Sequence, residues 1–172
     1  MDTSTFPTLT TERLTLRQLS IEDQEGVFAL RSDPEINKYI ERNPSKTIED
    51  AINFINLIND NSKKGNTLYW AVTLTSTKTF VGAVCLLNIS EEKSSCEIGY
   101  ELITKFQGQG IMKEAVEKVI DYVFQKVKLK NLNAIVHYKN QSSLKLLAKF
   151  NFIRSPETYK ENPDFNIFTL TY

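Results

Sequence analysis

Leu14 and Leu16 alternate with Arg13, Thr15 and Arg17, the period of two expected of a strand with one buried face. Leu68 to Leu74 and Thr79 to Leu87 are rich in β-branched and aromatic residues, and the short polar Ser76-Thr77-Lys78 between them predicts a hairpin. Gly82 marks a bulge or a close approach in the second of these strands. A turn at Glu91 to Ser94 leads into a further strand through Glu97-Ile98-Gly99-Tyr100, completing an antiparallel meander. Helical spacing appears elsewhere. Ser20 is a good N-cap for a helix from Ile21 to about Arg31, with Val27, Phe28 and Leu30 inward, until Asp33-Pro34 breaks it. Ile36, Tyr39 and Ile40 suggest a short second piece, ended by Asn43-Pro44-Ser45. Thr47 with Asp50 forms a capping box before Ala51, Phe54, Ile55 and Ile58, and Lys63-Lys64-Gly65 stops that run.

The second half has a different order. Met112, Val116, Val119, Ile120, Val123 and Val127 keep a 3.6-residue period, which predicts a long helix from Gly110 to Asn131. A strand from Asn133 to Tyr138 follows, so strand, helix and strand make a right-handed parallel crossover. Asn140 caps the next helix, with Leu144, Leu147 and Ala148 inward, and Asn151 suits the left-handed position beyond its end. Phe152-Ile153 and Phe165 to Tyr172 predict two last strands around a polar loop at Ser155 to Asp164. The class is α/β (α+β) with a mixed, mostly antiparallel sheet. No repeat, low-complexity tract or linker interrupts it.

Length adds one constraint: 172 residues suit one domain over the whole chain, 1–172, with a substantial core. The formal net charge is zero and basic residues are scattered, which argues against a nucleic-acid or membrane-surface partner. No apolar run approaches the ~20 residues of a membrane span. Met1-Asp2-Thr3-Ser4 lacks the blocks of a signal peptide, so a cytoplasmic location is expected. Cys85, Cys96 and the single His137, without a CxxC, are too few soft ligands for zinc, so no metal is expected. Both cysteines read as small buried hydrophobes, and the expected reducing compartment argues against a disulfide. His137, alone, reads as a packed or surface residue; Trp70 and Tyr100 line the core or a groove.

The chemistry concentrates between Glu97 and Ala115. Gly108 and Gly110 stand where a strand gives way to a helix, and glycine admits positive φ and lets a ligand approach the backbone. The first N–H groups of a helix lack internal partners and attract anions. A phosphate cradle of main-chain N–H groups is therefore expected at Gln107, Gly108, Gln109, Gly110, Ile111 and Met112. It is neither a dinucleotide fingerprint, since Lys113 replaces the third glycine, nor a P-loop, since Gly-Lys-Ser/Thr is absent.

Lys105-Phe106-Gln107-Gly108-Gln109-Gly110 resembles the acetyl-CoA loop, Gln/Arg-x-x-Gly-x-Gly/Ala, of the GNAT superfamily of N-acetyltransferases, with Lys105 at the Gln/Arg position. Glu97-Ile98-Gly99-Tyr100, Gly108 to Ala115, Asn140-Gln141-Ser142-Ser143, Lys149-Phe150-Asn151-Phe152 and Thr11 to Arg17 are similar to its Rim-type branch of ribosomal-protein N-terminal acetyltransferases. The resemblance implies a splayed central sheet of about seven strands flanked by helices. It implies acetyl-CoA as co-substrate, with pantetheine bonded along Leu102, Ile103 and Thr104 and to Asn140. It also implies direct transfer to a primary amine through a tetrahedral intermediate, and an acceptor site under the region between the first two long strands. Many members place a tyrosine acid where this chain has Leu147; the Rim-type branch has a serine matched by Ser143. A first-turn cap is the alternative role for Ser143. Glu97 and Glu101, evenly spaced on one strand face, are the candidate bases. Acceptors left open are a protein N-terminal α-amine and a small amine such as a polyamine, an aminoglycoside or an amino acid. A non-catalytic CoA-binding module is the reading from another class. An exposed edge strand near the carboxyl terminus is a candidate homodimer contact.

Overall fold

The alternating segments join in one eight-stranded sheet in the computed structural model, which describes residues 6–65, 67–90, 92 and 94–172. Its strands are β1 Leu9–Thr10, β2 Leu14–Gln18, β3 Leu68–Leu74, β4 Phe80–Ser90, β5 Ser95–Leu102, β6 Asn131–His137, β7 Ile153–Thr158 and β8 Phe165–Thr171. They lie in the order β1-β2-β3-β4-β5-β6-β8-β7, and only β5 and β6 run parallel. The strand beyond the expected seven is the two-residue β1, too short to show a period. The helices are α1 Gln24–Ser32, α2 Pro34–Asn37, α3 Ile48–Lys63, α4 Ile111–Asp121 and α5 Gln141–Lys149. None is long and apolar enough to cross a membrane.

Both faces of the central strands are covered, and β3 is accordingly buried from Leu68 to Thr73. Trp70 and Val72 join Leu16, Val84 and Leu132 beneath α4, whose Ala115, Val116 and Val119 supply the stripe that the sequence predicts. Tyr69, Ala71 and Ala83 face the other way, onto Val27 and Leu30 of α1 and Ala51 and Ile55 of α3. Local caps set the helix starts. Thr47 Oγ1 accepts the Asp50 N–H (3.2 Å) and Asp50 returns the bond to the Thr47 N–H (3.0 Å). Ser20 precedes a 3₁₀ turn, Ile21–Asp23, and α1 proper begins only at Gln24. Asp23 is tied there by the Ser20 N–H (2.9 Å) and both Nη atoms of Arg17 (2.8 Å each).

Several boundaries differ from expectation: α2 ends at Asn37, before Tyr39 and Ile40, and β4 runs three residues past Leu87 to Ser90. The long helix passes into a π-helical turn, Tyr122–Val127, and stops at Lys128, whose φ of 62° is left-handed; Asn131 instead opens β6. β7 runs to Thr158, inside the expected polar loop, because an exposed edge strand carries no apolar alternation. Asn151 has the expected left-handed φ, 61°. Cys85 and Cys96 are free thiols.

Gly82 sits at a β4 bulge, where Val72 pairs with Gly82 and Thr73 with Phe80. A Cβ there would run into the Glu101 carbonyl oxygen and lie 3.0 Å from the Leu102 Cα. Gly82→Ala should therefore cost about 1–3 kcal/mol, the usual range for overpacking, and push β5 outward. Thermal unfolding checks the first effect and CoA affinity the second.

Candidate active site

The sheet opens where its one parallel pair gives out. β5 and β6 pair only at Ser95–Asn131, Cys96–Leu132 and Glu97–Asn133. Beyond that point Ile98 to Leu102 stay with β4 and Ala134 to His137 with β8, and a cavity of about 1020 Å³ occupies the wedge between them. The Ile103 N–H donates to the Val81 carbonyl (2.9 Å), so by strand alternation the peptide groups of Tyr100 and Leu102 turn toward the wedge. Gln107 Nε2 donates to the Leu102 carbonyl (3.1 Å), which leaves the Tyr100 and Leu102 N–H groups facing the wedge. Of the three residues expected on this edge, Leu102 and Thr104 line the cavity, while Ile103 packs toward α1 and α3. Thr104 Oγ1 donates to Asp33 Oδ2 (2.9 Å) and so pins the α1–α2 junction to the end of β5.

The glycine loop follows at once. Gly108 and Gly110 both have φ of 75°, a conformation that side chains with a Cβ rarely adopt. The Gln107 N–H closes a turn on the Thr104 carbonyl (3.1 Å), so it is not part of the open set. From Gly108 through Lys113 the N–H groups find no acceptor among the described residues, and the next, Glu114, bonds the Gly110 carbonyl (3.1 Å). A Cβ added to Gly108 would meet nothing within 4 Å, so the loop is open to a ligand. Consecutive unpaired donors at the start of α4, in glycine-bearing backbone, fit a diphosphate. Arg13 braces the loop from β2: Nε lies 2.7 Å from Glu114 Oε2 and Nη1 donates to the Gln109 carbonyl (3.2 Å). Thr11 Oγ1 and the Arg13 N–H also donate to Glu114 Oε1. Burial pushes the Glu114 pKa up, but these bonds outweigh it and the net direction is down.

Across the wedge, Asn140 Oδ1 accepts the Ser143 N–H (3.2 Å) and the Ser142 hydroxyl (2.9 Å), starting α5 as expected. Ser143 is buried, and its Oγ lies 2.7 Å from the Tyr100 hydroxyl. Burial pushes Tyr100 up to about 12, so it keeps its proton at neutral pH. The pair holds two protons; the mutual bond uses one, and the Tyr100 hydroxyl also lies within donating distance, 3.4 Å, of the Ser143 carbonyl oxygen. Tyr100, which sequence patterning assigned to core or groove, thus completes a donor pair with Ser143. Leu147, where other members have the tyrosine, is fully buried in the core.

Glu101 points to the opposite face of β5, as alternation requires. Its Oε1 accepts from Arg42 Nη1 (3.0 Å) and the Tyr69 hydroxyl (2.9 Å). Arg42 Nη2 lies 2.7 Å from Oε2, close enough for an ion pair but not aligned for a hydrogen bond, so Oε2 keeps its lone pairs. Arg42 is itself held by Asn37 Oδ1 (2.6 Å) and the Leu30 carbonyl (3.3 Å). Glu97 lies at the apex of the wedge, beside Asn133, and is not among the residues that line the cavity. His137 lines the cavity in an aromatic cage, with Tyr39, Tyr138 and Phe165 rings 5.1, 5.0 and 5.3 Å away. Cys85 lines it too. The residue is partly exposed, but its thiol sits deep, and burial pushes it up to about 12. Arg42 and Tyr69 carry no motif, and only their packing reveals them; Arg13 and Tyr100 lie in segments that carry the resemblance, but their partners, Glu114 and Ser143, emerge only from the packing.

Two outcomes test the loop. Gly108→Val or Gly110→Val should abolish CoA binding, measured by titration calorimetry; unchanged affinity would refute the cradle. The lowered Glu114 pKa means that its ionised brace is fully present above the ordinary value of 4.5 and fades as pH falls through the depressed one. The stability advantage of the wild type over Glu114→Gln should hold at neutral pH and shrink progressively below pH 4.5.

Residues 13–153 match the acetyltransferase (GNAT) domain family. The uncharacterized N-acetyltransferase p20 of Bacillus licheniformis is 37% identical over 145 residues, 84% of this chain and 82% of that protein. Among solved structures, RimL, a ribosomal L7/L12 alpha-N-protein acetyltransferase in complex with coenzyme A, aligns with a TM-score of 0.84 at 15% identity, covering 96% of this chain and 98% of its own. The microcin C7 self-immunity acetyltransferase MccE, in complex with acetyl-CoA and AMP, aligns with a TM-score of 0.82 at 20% identity over 94% of each chain. Those two share the fold. With a family match over most of its length and a close sequence relative, this chain belongs to the GNAT superfamily and is an acetyl-CoA-dependent N-acetyltransferase.

Proposed function

We propose that residues 1–172 act as a single domain that acetylates a primary amine, the α-amine of a protein N-terminus in the manner of the Rim-type branch. The observation that carries the chemistry is the placing of two proton-handling groups on opposite faces of β5, either side of the wedge: Glu101 on one, Tyr100 with Ser143 on the other. When bound, acetyl-CoA supplies an activated acetyl thioester. The N–H groups of 108–113 hold its diphosphate, with Asn140 along the pantetheine arm, and the Tyr100 and Leu102 N–H groups fix the thioester and polarise its carbonyl. Glu101, or Glu97 through water, takes a proton from the acceptor ammonium. The amine nitrogen then bonds the acetyl carbon to give a tetrahedral intermediate. As this collapses the carbon–sulfur bond breaks, the departing sulfur takes a proton from the Tyr100–Ser143 pair, and the second proton, which the nitrogen gives up as the amide forms, restores that pair by way of solvent. Cys85 and Cys96, both pushed up to about 12 by burial, are poor nucleophiles, which supports direct transfer over an acyl-enzyme.

The similarity in fold to RimL, an alpha-N-protein acetyltransferase, supports the protein acceptor. A small amine is the second reading, favoured by the part-buried corner of Arg31, Arg42 and Glu101, and MccE, of the same fold, binds AMP. Thiol release from acetyl-CoA over a panel of ribosomal-protein N-terminal peptides, amino acids, aminoglycosides and polyamines tests both. Tight CoA binding with no release from any amine would favour the non-catalytic reading. Positioned proton transfer contributes roughly 10²–10⁴-fold. Ser143→Ala and Tyr100→Phe should therefore each lower kcat tenfold or more while CoA affinity changes far less. Equal losses in both would make Ser143 a structural cap.

A further inference from the structure

At the end of the cavity lined by Arg31, Arg42 and Glu101, one of the two arginines has no carboxylate partner among the described residues. Arg31 and Arg42 both line it, with Glu101 between β4 and the helices as their neighbouring carboxylate. Arg42 takes that carboxylate at 2.7 Å. Arg31 forms no ion pair or side-chain hydrogen bond among the described residues, and its Nε is buried without a partner. Its guanidinium carbon lies 3.8 Å from the centre of the Phe54 ring, a cation–π contact that holds the head group beside the cavity. Burial pushes its pKa down, the Arg42 charge pushes it further, and Glu101 offsets only part of this. An arginine keeps its proton under such pressure, so the charge persists and calls for an acceptor of opposite sign. Glu35 and Glu41 also border the cavity, but both are exposed, at its rim.

We infer that the amine acceptor carries a compact oxyanion, a carboxylate or a phosphate, close to its amine, and that Arg31 receives it. Guanidinium presents forked donors that match both groups. The inference rests on the amine-acetyltransferase reading above and names the acceptor's chemistry: an ammonium for Glu101 beside an anion for Arg31. The oxyanion comes either from an acidic side chain near a peptide N-terminus or from a small amino acid or phosphorylated amine.

The test uses matched acceptors that differ in one charge. A peptide beginning Ser-Asp is compared with one beginning Ser-Asn, β-alanine with its amide, and phosphoethanolamine with ethanolamine. The wild type should favour the anionic member of at least one pair tenfold or more in kcat/KM, about 1.4 kcal/mol. Arg31→Met, which keeps the packing on Phe54, should bring that ratio to about one, and Arg31→Lys should restore part of it. Preference in the peptide pair alone assigns a protein source; preference in the small pairs alone assigns a metabolite. Ratios near one throughout, or a preference that Arg31→Met leaves intact, would overturn the inference. If no amine of either charge releases thiol, the transferase reading fails separately. The anion seat is then read by titrating malonate and inorganic phosphate into the CoA-saturated protein. Binding weakened tenfold by Arg31→Met upholds the seat, and no binding, or binding indifferent to Arg31, removes it. CoA affinity, set at the far end of the cavity, reports that each variant is folded.

Discussion

Everything functional here depends on two parallel strands that stop pairing. Three paired positions hold β5 to β6 at one end. Past them each strand keeps its other neighbour, β4 or β8, so the sheet stays anchored on both sides while its middle opens. An unpaired strand edge normally invites aggregation or slippage. In this protein the edge faces a cavity, lined there by Tyr100, Leu102 and Thr104, and not another strand. The opening needs no unusual side chain. It requires that strong neighbours hold both strands, and the long pairings of β4 with β5 and of β8 with β6 provide that.

The loop after β5 shows how little sequence such a site needs and how much scaffolding stands behind it. Two residues, Gly108 and Gly110, supply the left-handed turns. Their placement is the work of Thr11 and Arg13 together with Glu114, which lies 103 and 101 positions further along the chain. The brace joins the first long strand to the first turn of α4. Folding of the amino-terminal strands is thereby coupled to the shape of the phosphate cradle, and a change in β2 is expected to be felt there.

Much of this was legible in the residues. β3 has the bounds that its β-branched run predicts, and the Thr47–Asp50 and Asn140 caps form as their side-chain chemistry requires. Local rules sufficed because those features are local. The helix end at Lys128 was not legible, since a lysine in left-handed backbone carries no compositional mark. Nor was the extent of β7, whose polar residues read as loop. The acceptor corner was the hardest to foresee. Arg42 and Glu101 are 59 residues apart and Tyr69 and Glu101 32, and nothing in either stretch announces the meeting. Glu97 and Glu101 look equivalent as evenly spaced carboxylates. Only the three-dimensional split separates them, leaving one at the apex and the other beside the cavity.

The face-to-face division of labour on β5 has a consequence for how this gene can vary. Side chains on a strand change sides with each residue, so a one-residue deletion between Ile98 and Leu102 would trade the carboxylate's side for the hydroxyl's. Such a chain can retain its sheet and its glycine loop and still carry the Glu101 carboxylate and the Tyr100 hydroxyl on exchanged faces. Substitutions along this strand are negotiable one position at a time, whereas insertions and deletions are not; the reading frame of β5 against β4 is itself a functional element.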